Sequence, residues 1–139
     1  MGTITCFRET LETLRRVAVY EEIRLKGKGI SPPRRIVVVP TTYDGGLYYY
    51  PDETVVVYLS DAPHKLNPIR TLLHEIAHHV QYYEAGKDAR KAFDEEERRK
   101  PWGKRRHERE AEEYAWRHSI RYRAIYESLI NKLKEMGCI

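Results

Sequence analysis

The chain reads as a small α+β domain, and three observations carry that reading. Residues 8–26 place Leu11, Leu14, Val17, Ala18 and Leu25 at near-helical spacing among charged neighbours. Residues 34–60 hold short β-branched runs separated by turn chemistry. From residue 67 onward the apolar spacing is helical again and does not return to strand periodicity. Helix, strands, helix, helix is the segregated order of an α+β domain, and 139 residues fit one domain over 1–139.

The first helix ends before "GKGISPP", whose glycines and prolines break it. "RRIVVVP" (34–40) is a strand stopped by Pro40, and "TTYDGG" has the residues of a turn. "LYYYPDETVVVYLS" (47–60) reads as a hairpin turning through Pro51, Asp52 and Glu53. Asn67 before Pro68 signals a helix start, a side-chain cap followed by proline at the first helical position. Ile69, Leu72, Leu73, Ile76 and Val80 then form an apolar stripe, and Gly86 is a stop. Residues 87–103 are highly charged and read as a connection with room for a short helix. From Lys104 to Met136 no glycine or proline interrupts what reads as one long helix, with Ala111, Ala115, Tyr122, Ile125, Leu129 and Leu133 on its apolar side.

Composition narrows the function classes. With 41% hydrophobic and 33% charged residues, a folded, soluble, heavily charged domain is expected. No apolar run approaches the ~20 residues a membrane-spanning helix needs, and the start of the chain has no secretory pattern. Cys6 stands where a myristoylation signal at Gly2 would want Ser or Thr. An intracellular, cytoplasmic protein without a membrane partner is the expectation. One Gln and two Asn against 46 charged residues (25 basic, 21 acidic) resemble a thermophile composition. Cys6 and Cys138 form no metal-binding spacing, and the sequence leaves a bridge between them open. The basic runs at 98–100 and 104–106 alternate with acidic ones, which argues against a nucleic-acid footprint.

The chemistry concentrates in "TLLHEIAHHVQYY" (71–83). On a helix, His74 and His78 lie about 40° apart and about 6 Å along the axis, so they can share one cation. His79 is turned a further ~100° and cannot join them, which suggests a neighbouring or surface position. Glu75 is placed on the accessible flank to accept a proton from water, the pattern of a zinc hydrolase. A shuffled chain of this composition contains the motif about 3% of the time, so its setting on a capped helix is what gives it weight. A third ligand is required. The residues leave the carboxylates of 107–115 (Glu108, Glu110, Glu112 and Glu113), His107, His64, His118 and the two cysteines open, and Glu108 is favoured because it shares a helix side with Ala111, Ala115, Tyr122 and Leu129. His107 points about 100° away and is its main rival.

Glu108-Arg109-Glu110-Ala111-Glu112-Glu113-Tyr114-Ala115 resembles the glutamate helix, E-x-E-A-(N/D)-x-F-A, of minimal gluzincins, the ImmA/IrrE-type domains and archaeal minigluzincins. The resemblance runs over about residues 45–118, and implies a zincin-like domain with an edge hairpin beside the HExxH helix and a long C-terminal helix carrying the third ligand. It implies Zn²⁺ on His74, His78 and Glu108, Glu112 hydrogen-bonded to a ligand histidine, and a peptide strand added to the hairpin edge. Two positions depart from the pattern: Glu112 is one methylene longer than the family residue, and Tyr114 replaces Phe. Glu75 would be the general base of a zinc metalloendopeptidase acting on peptide or protein substrates. The oxyanion donor is open among Tyr82, Tyr83, His107, Tyr114 and His118. A latent or regulatory module docking one protein partner on the same fold is the alternative, and a basic nucleic-acid module comes third.

Overall fold

A computed structural model of the chain describes residues 3–60 and 66–139. The described residues form α1 (Thr3–Gly27), β1 (Arg35–Pro40), β2 (Gly45–Tyr49), β3 (Thr54–Leu59), α2 (Pro68–Ala85), α3 (Ala89–Arg99), α4 (Arg106–Ser119) and α5 (Arg123–Glu135). This is an α+β architecture. None of its helices is long and apolar enough to cross a membrane.

The sheet has the order β1-β3-β2, with β1 parallel and β2 antiparallel to the central β3. Pro40 closes the β1 ladder opposite Leu59. The hairpin turns through a short 3₁₀ segment, Tyr50–Asp52, as the Pro51 and Asp52 chemistry predicts. Along β3 burial alternates, and Val55, Val57 and Leu59 face the core. That core also takes Leu14, Val17 and Leu25 from α1 and Ile69, Leu72, Leu73 and Ile76 from α2. Each such side chain contributes ~1.5–3 kcal/mol when removed from water.

The α2 start is the one the sequence anticipates. Asn67 Oδ1 accepts hydrogen bonds from the amides of Ile69 (3.0 Å) and Arg70 (3.4 Å), and Pro68 takes the first helical position. Gly86, at φ 69°, ends the helix in a conformation that suits glycine. Unlike the single-stripe helix its sequence suggests, α2 is buried on every side from Leu72 through His79. It is the central helix of the domain.

One helix differs from expectation. The helix expected to run from Lys104 to Met136 is broken at Ile120–Tyr122, where one 3₁₀ turn separates α4 from α5. The Ser119 hydroxyl donates to the Trp116 carbonyl (2.8 Å), a side-chain bond that competes with the helical ladder. Tyr122 is turned inward so that its hydroxyl donates to the buried Glu21 carboxylate at 2.5 Å. The charged connection holds the short helix its sequence leaves room for, α3, of 11 residues.

Cys6 and Cys138 form a disulfide across 132 positions of sequence, joining α1 to the segment after α5. Cross-linking so long a loop restricts the unfolded chain, so Cys138→Ser should lower the unfolding free energy by ~2–4 kcal/mol in urea titrations without reductant. An unchanged midpoint would show that the bridge adds nothing to folding.

Candidate metal centre

Helices α2 and α4 run antiparallel, and the site is built from the pairs of residues they set opposite each other. Ala111 and Ala115, both fully buried, present only methyl groups at the contact and let the helices close. His78 then faces Glu108, His74 faces Glu112, and Arg70 faces Trp116, at four-residue steps on each helix.

The Nε2 atoms of His78 and His74 converge on one carboxylate oxygen, Glu108 Oε1, at 2.5 and 3.1 Å. All three side chains are buried, and their ligand atoms lie within 4.8 Å of one another. This group is positioned to bind a metal ion. Burial alone would push the Glu108 carboxyl up, but hydrogen bonds from His74 and His78 outweigh it and hold the group well below the usual carboxylate range. Glu108 is therefore an anion, the form a cation requires.

The far nitrogens of both imidazoles are also occupied. His78 Nδ1 lies 2.9 Å from Gln81 Oε1, which accepts its proton, so that Nε2 is the nitrogen turned to Glu108. Gln81 is itself held, its amide donating to the His107 carbonyl at 2.9 Å. Glu112 Oε1 comes within 2.7 Å of His74 Nδ1. The approach lies off hydrogen-bond alignment, so the contact is an electrostatic one. The donor set, two imidazole Nε2 atoms and a carboxylate, suits a metal ion held by three protein ligands.

Glu75 departs from expectation: it is buried at 7% exposure and lies against the edge strand β2. A Cβ at Gly46 would stand 2.8 Å from both Glu75 Cγ and Oε2, so only glycine lets the carboxylate lie there. Burial pushes the Glu75 carboxyl up, against the pull of His78 and His74. Together with the ligand triad it lines a cleft of about 650 Å³ that extends along β2. Trp102, half exposed, stacks on the His74 ring at 15°.

The other candidates divide. His107 lines the cleft, but not as a ligand: its Nδ1 pairs with Glu96 at 2.9 Å and its ring stacks on Phe93. Glu96 also accepts from the Arg106 (2.6 Å) and His107 (3.3 Å) amides, capping α4 from α3. His79 is neither at the surface nor beside the metal group. It is fully buried, with Nδ1 2.7 Å from the Tyr48 hydroxyl and Nε2 2.7 Å from the Ser31 carbonyl. Tyr114 and His118 do not reach the cleft. At 240° and 280° from Glu108 around α4, they line a separate cavity of about 330 Å³ with Arg24. Tyr82 packs on Tyr48 and Tyr50, and the half-exposed Tyr83 contacts the His79 ring, so neither is a donor there. His64 lies outside the described residues. Gln81, Glu96 and Gly46 were not anticipated; the signals were an i,i+3 offset from His78 and a glycine pair before the hairpin.

Zinc equilibration followed by elemental analysis should find an equimolar ion. His78→Ala or Glu108→Ala should lose it, and Gln81→Ala should weaken it ~10–100-fold. Retention by Glu108→Ala with loss by His107→Ala would reverse the assignment. The back cavity makes a separate prediction. Burial, then the Arg24 and Arg121 cations, push the His118 imidazole down to about 4. Between its ordinary 6.5 and about 4 the unfolded chain binds a proton that the folded chain refuses, so stability falls as pH drops through that window. His118→Gln should flatten that slope in denaturant titrations at stepped pH, and an unaltered slope would contradict it. Compared with protein-family models, curated proteins and solved structures, the chain matches none.

Proposed function

We propose that the chain is a zincin-like, zinc-dependent hydrolase of peptide bonds. The observation that carries the reading is Glu75: a buried carboxylate in the same cleft as the His74, His78 and Glu108 group, pressed against an edge strand. Zinc, when bound by those three residues, supplies a Lewis acid that polarises a substrate carbonyl and acidifies water.

The remaining steps belong to the chain. The β2 edge, with Leu47 and Tyr49 exposed on it, offers unpaired backbone groups to an extended peptide. Glu75, raised by burial, takes the proton of the attacking water and returns it to the leaving amine. His107 is the candidate oxyanion donor that lines the cleft, and Glu96 holds its ring from behind. Gln81 orients the His78 imidazole, and the Glu112 carboxylate lies against the imidazole of His74.

Glu75→Gln should keep equimolar zinc and lower hydrolysis of unfolded protein substrate by ~10²–10⁴-fold. Turnover at the unaltered rate would remove the general-base role, and no turnover by the unaltered zinc-loaded protein would remove the peptidase reading.

A further inference from the structure

Arg70 stands on the metal-binding face of α2, one turn before His74 and two before His78, and lines the same cleft. Its guanidinium lies 4.1 Å from the centre of the Trp116 ring on α4. At the two neighbouring steps, α4 sets a carboxylate opposite α2: Glu108 for His78 and Glu112 for His74. At the third step it sets an indole, so the arginine is held flat but not neutralised.

No carboxylate among the described residues forms an ion pair with Arg70, and its Nε is buried without a hydrogen-bond partner. Glu112, one turn before Trp116 on α4, is turned onto His74 instead. The Asn67 side chain is spent on the amides of Ile69 and Arg70. What remains is a partly exposed guanidinium fork at the cleft wall, braced on one face, with its Nε shielded and unpaired. Planar forks of this kind bind carboxylates through paired hydrogen bonds.

We propose that Arg70 is a recognition site for a substrate carboxylate. The spacing suits a peptide. Four residues of helix put Arg70 about 6 Å along the axis from His74, and an extended peptide covers that in about two residues at ~3.3–3.6 Å each. A free C-terminal carboxylate, or an acidic side chain, one or two residues beyond the bond at the metal would meet the fork. The inference rests on the peptidase reading for the peptide that carries the carboxylate, and not for the carboxylate itself.

The test is binding to the zinc-loaded full chain, read by titration calorimetry with three short probes: acetyl-Ala-Ala as the free acid, the same peptide amidated, and amidated acetyl-Ala-Glu-Ala. At least one carboxylate probe should bind about tenfold or more tightly than the neutral amide. In Arg70→Gln that preference should vanish while the amide binds as before, and Arg70→Lys, a charge without the fork, should recover only part of it. Whichever carboxylate loses affinity in Arg70→Gln identifies the source, chain end or side chain. Equal binding of all three probes to the unaltered protein would overturn the proposal, with no variant needed. A preference that survives in Arg70→Gln would also overturn it, because the carboxylate would then be held by the metal. Binding is read without turnover, so a protein that prefers carboxylates through Arg70 but cleaves no peptide would refute the peptidase reading alone.

Discussion

Two helices can share one metal ion only if their axes run close enough for an imidazole on one to meet a carboxylate on the other. That constraint governs α2 and α4. The fully buried Ala111 and Ala115 remove side-chain bulk from the contact, and the antiparallel direction then aligns residues at four-residue steps on both helices. Glu108, Glu112 and Trp116 face His78, His74 and Arg70 because the two periodicities match. A larger side chain at Ala111 or Ala115 would separate every pair at once, since protein interiors have no slack to absorb it.

The opposite side of α4 carries a different kind of polar chemistry. Glu21 is almost completely buried, yet Arg24 donates to both of its oxygens, at 2.7 and 3.0 Å, and Tyr122 donates to one at 2.5 Å. Arg24 also bonds the Tyr114 hydroxyl. This network ties α1 to α4 and to the turn before α5. Removing one member would strand a buried charge, which costs far more than the pair contributes. The helix is thus held by hydrogen-bonded charge on one side while its other side presents the metal-binding group.

Much of the site was legible because its residues repeat locally. Asn67-Pro68 and the apolar stripe announce α2, and four-residue spacing announces His74 and His78 as a pair. Glu108 needed more: its helix side made it a candidate, and the resemblance of residues 108–115 to a glutamate helix chose it over His107. What escaped depends on contacts between distant segments. His79 has the same sequence environment as a surface histidine, and only Tyr48 and Ser31, folded onto it, make it a core residue. Glu75 seemed accessible because nothing in a helix pattern shows that β2 will cover it. The break after Ser119 carries no glycine or proline signal, because it arises from a hydroxyl back-bond and from the inward pull on Tyr122. The disulfide pairs the two cysteines of the chain, but spacing says nothing about whether α1 and α5 bring them together.

That bridge has a further meaning for the chain as a covalent object. With Cys6 joined to Cys138, the backbone between them is a closed ring. A single cut anywhere along it, for instance in the exposed, charged stretch that holds α3, opens the ring but releases no fragment. The nicked molecule keeps its mass apart from one added water, and its pieces stay tethered at high effective concentration. Damage to such a molecule stays hidden until the bridge is reduced, and the fold can tolerate an interruption that would disperse an open chain.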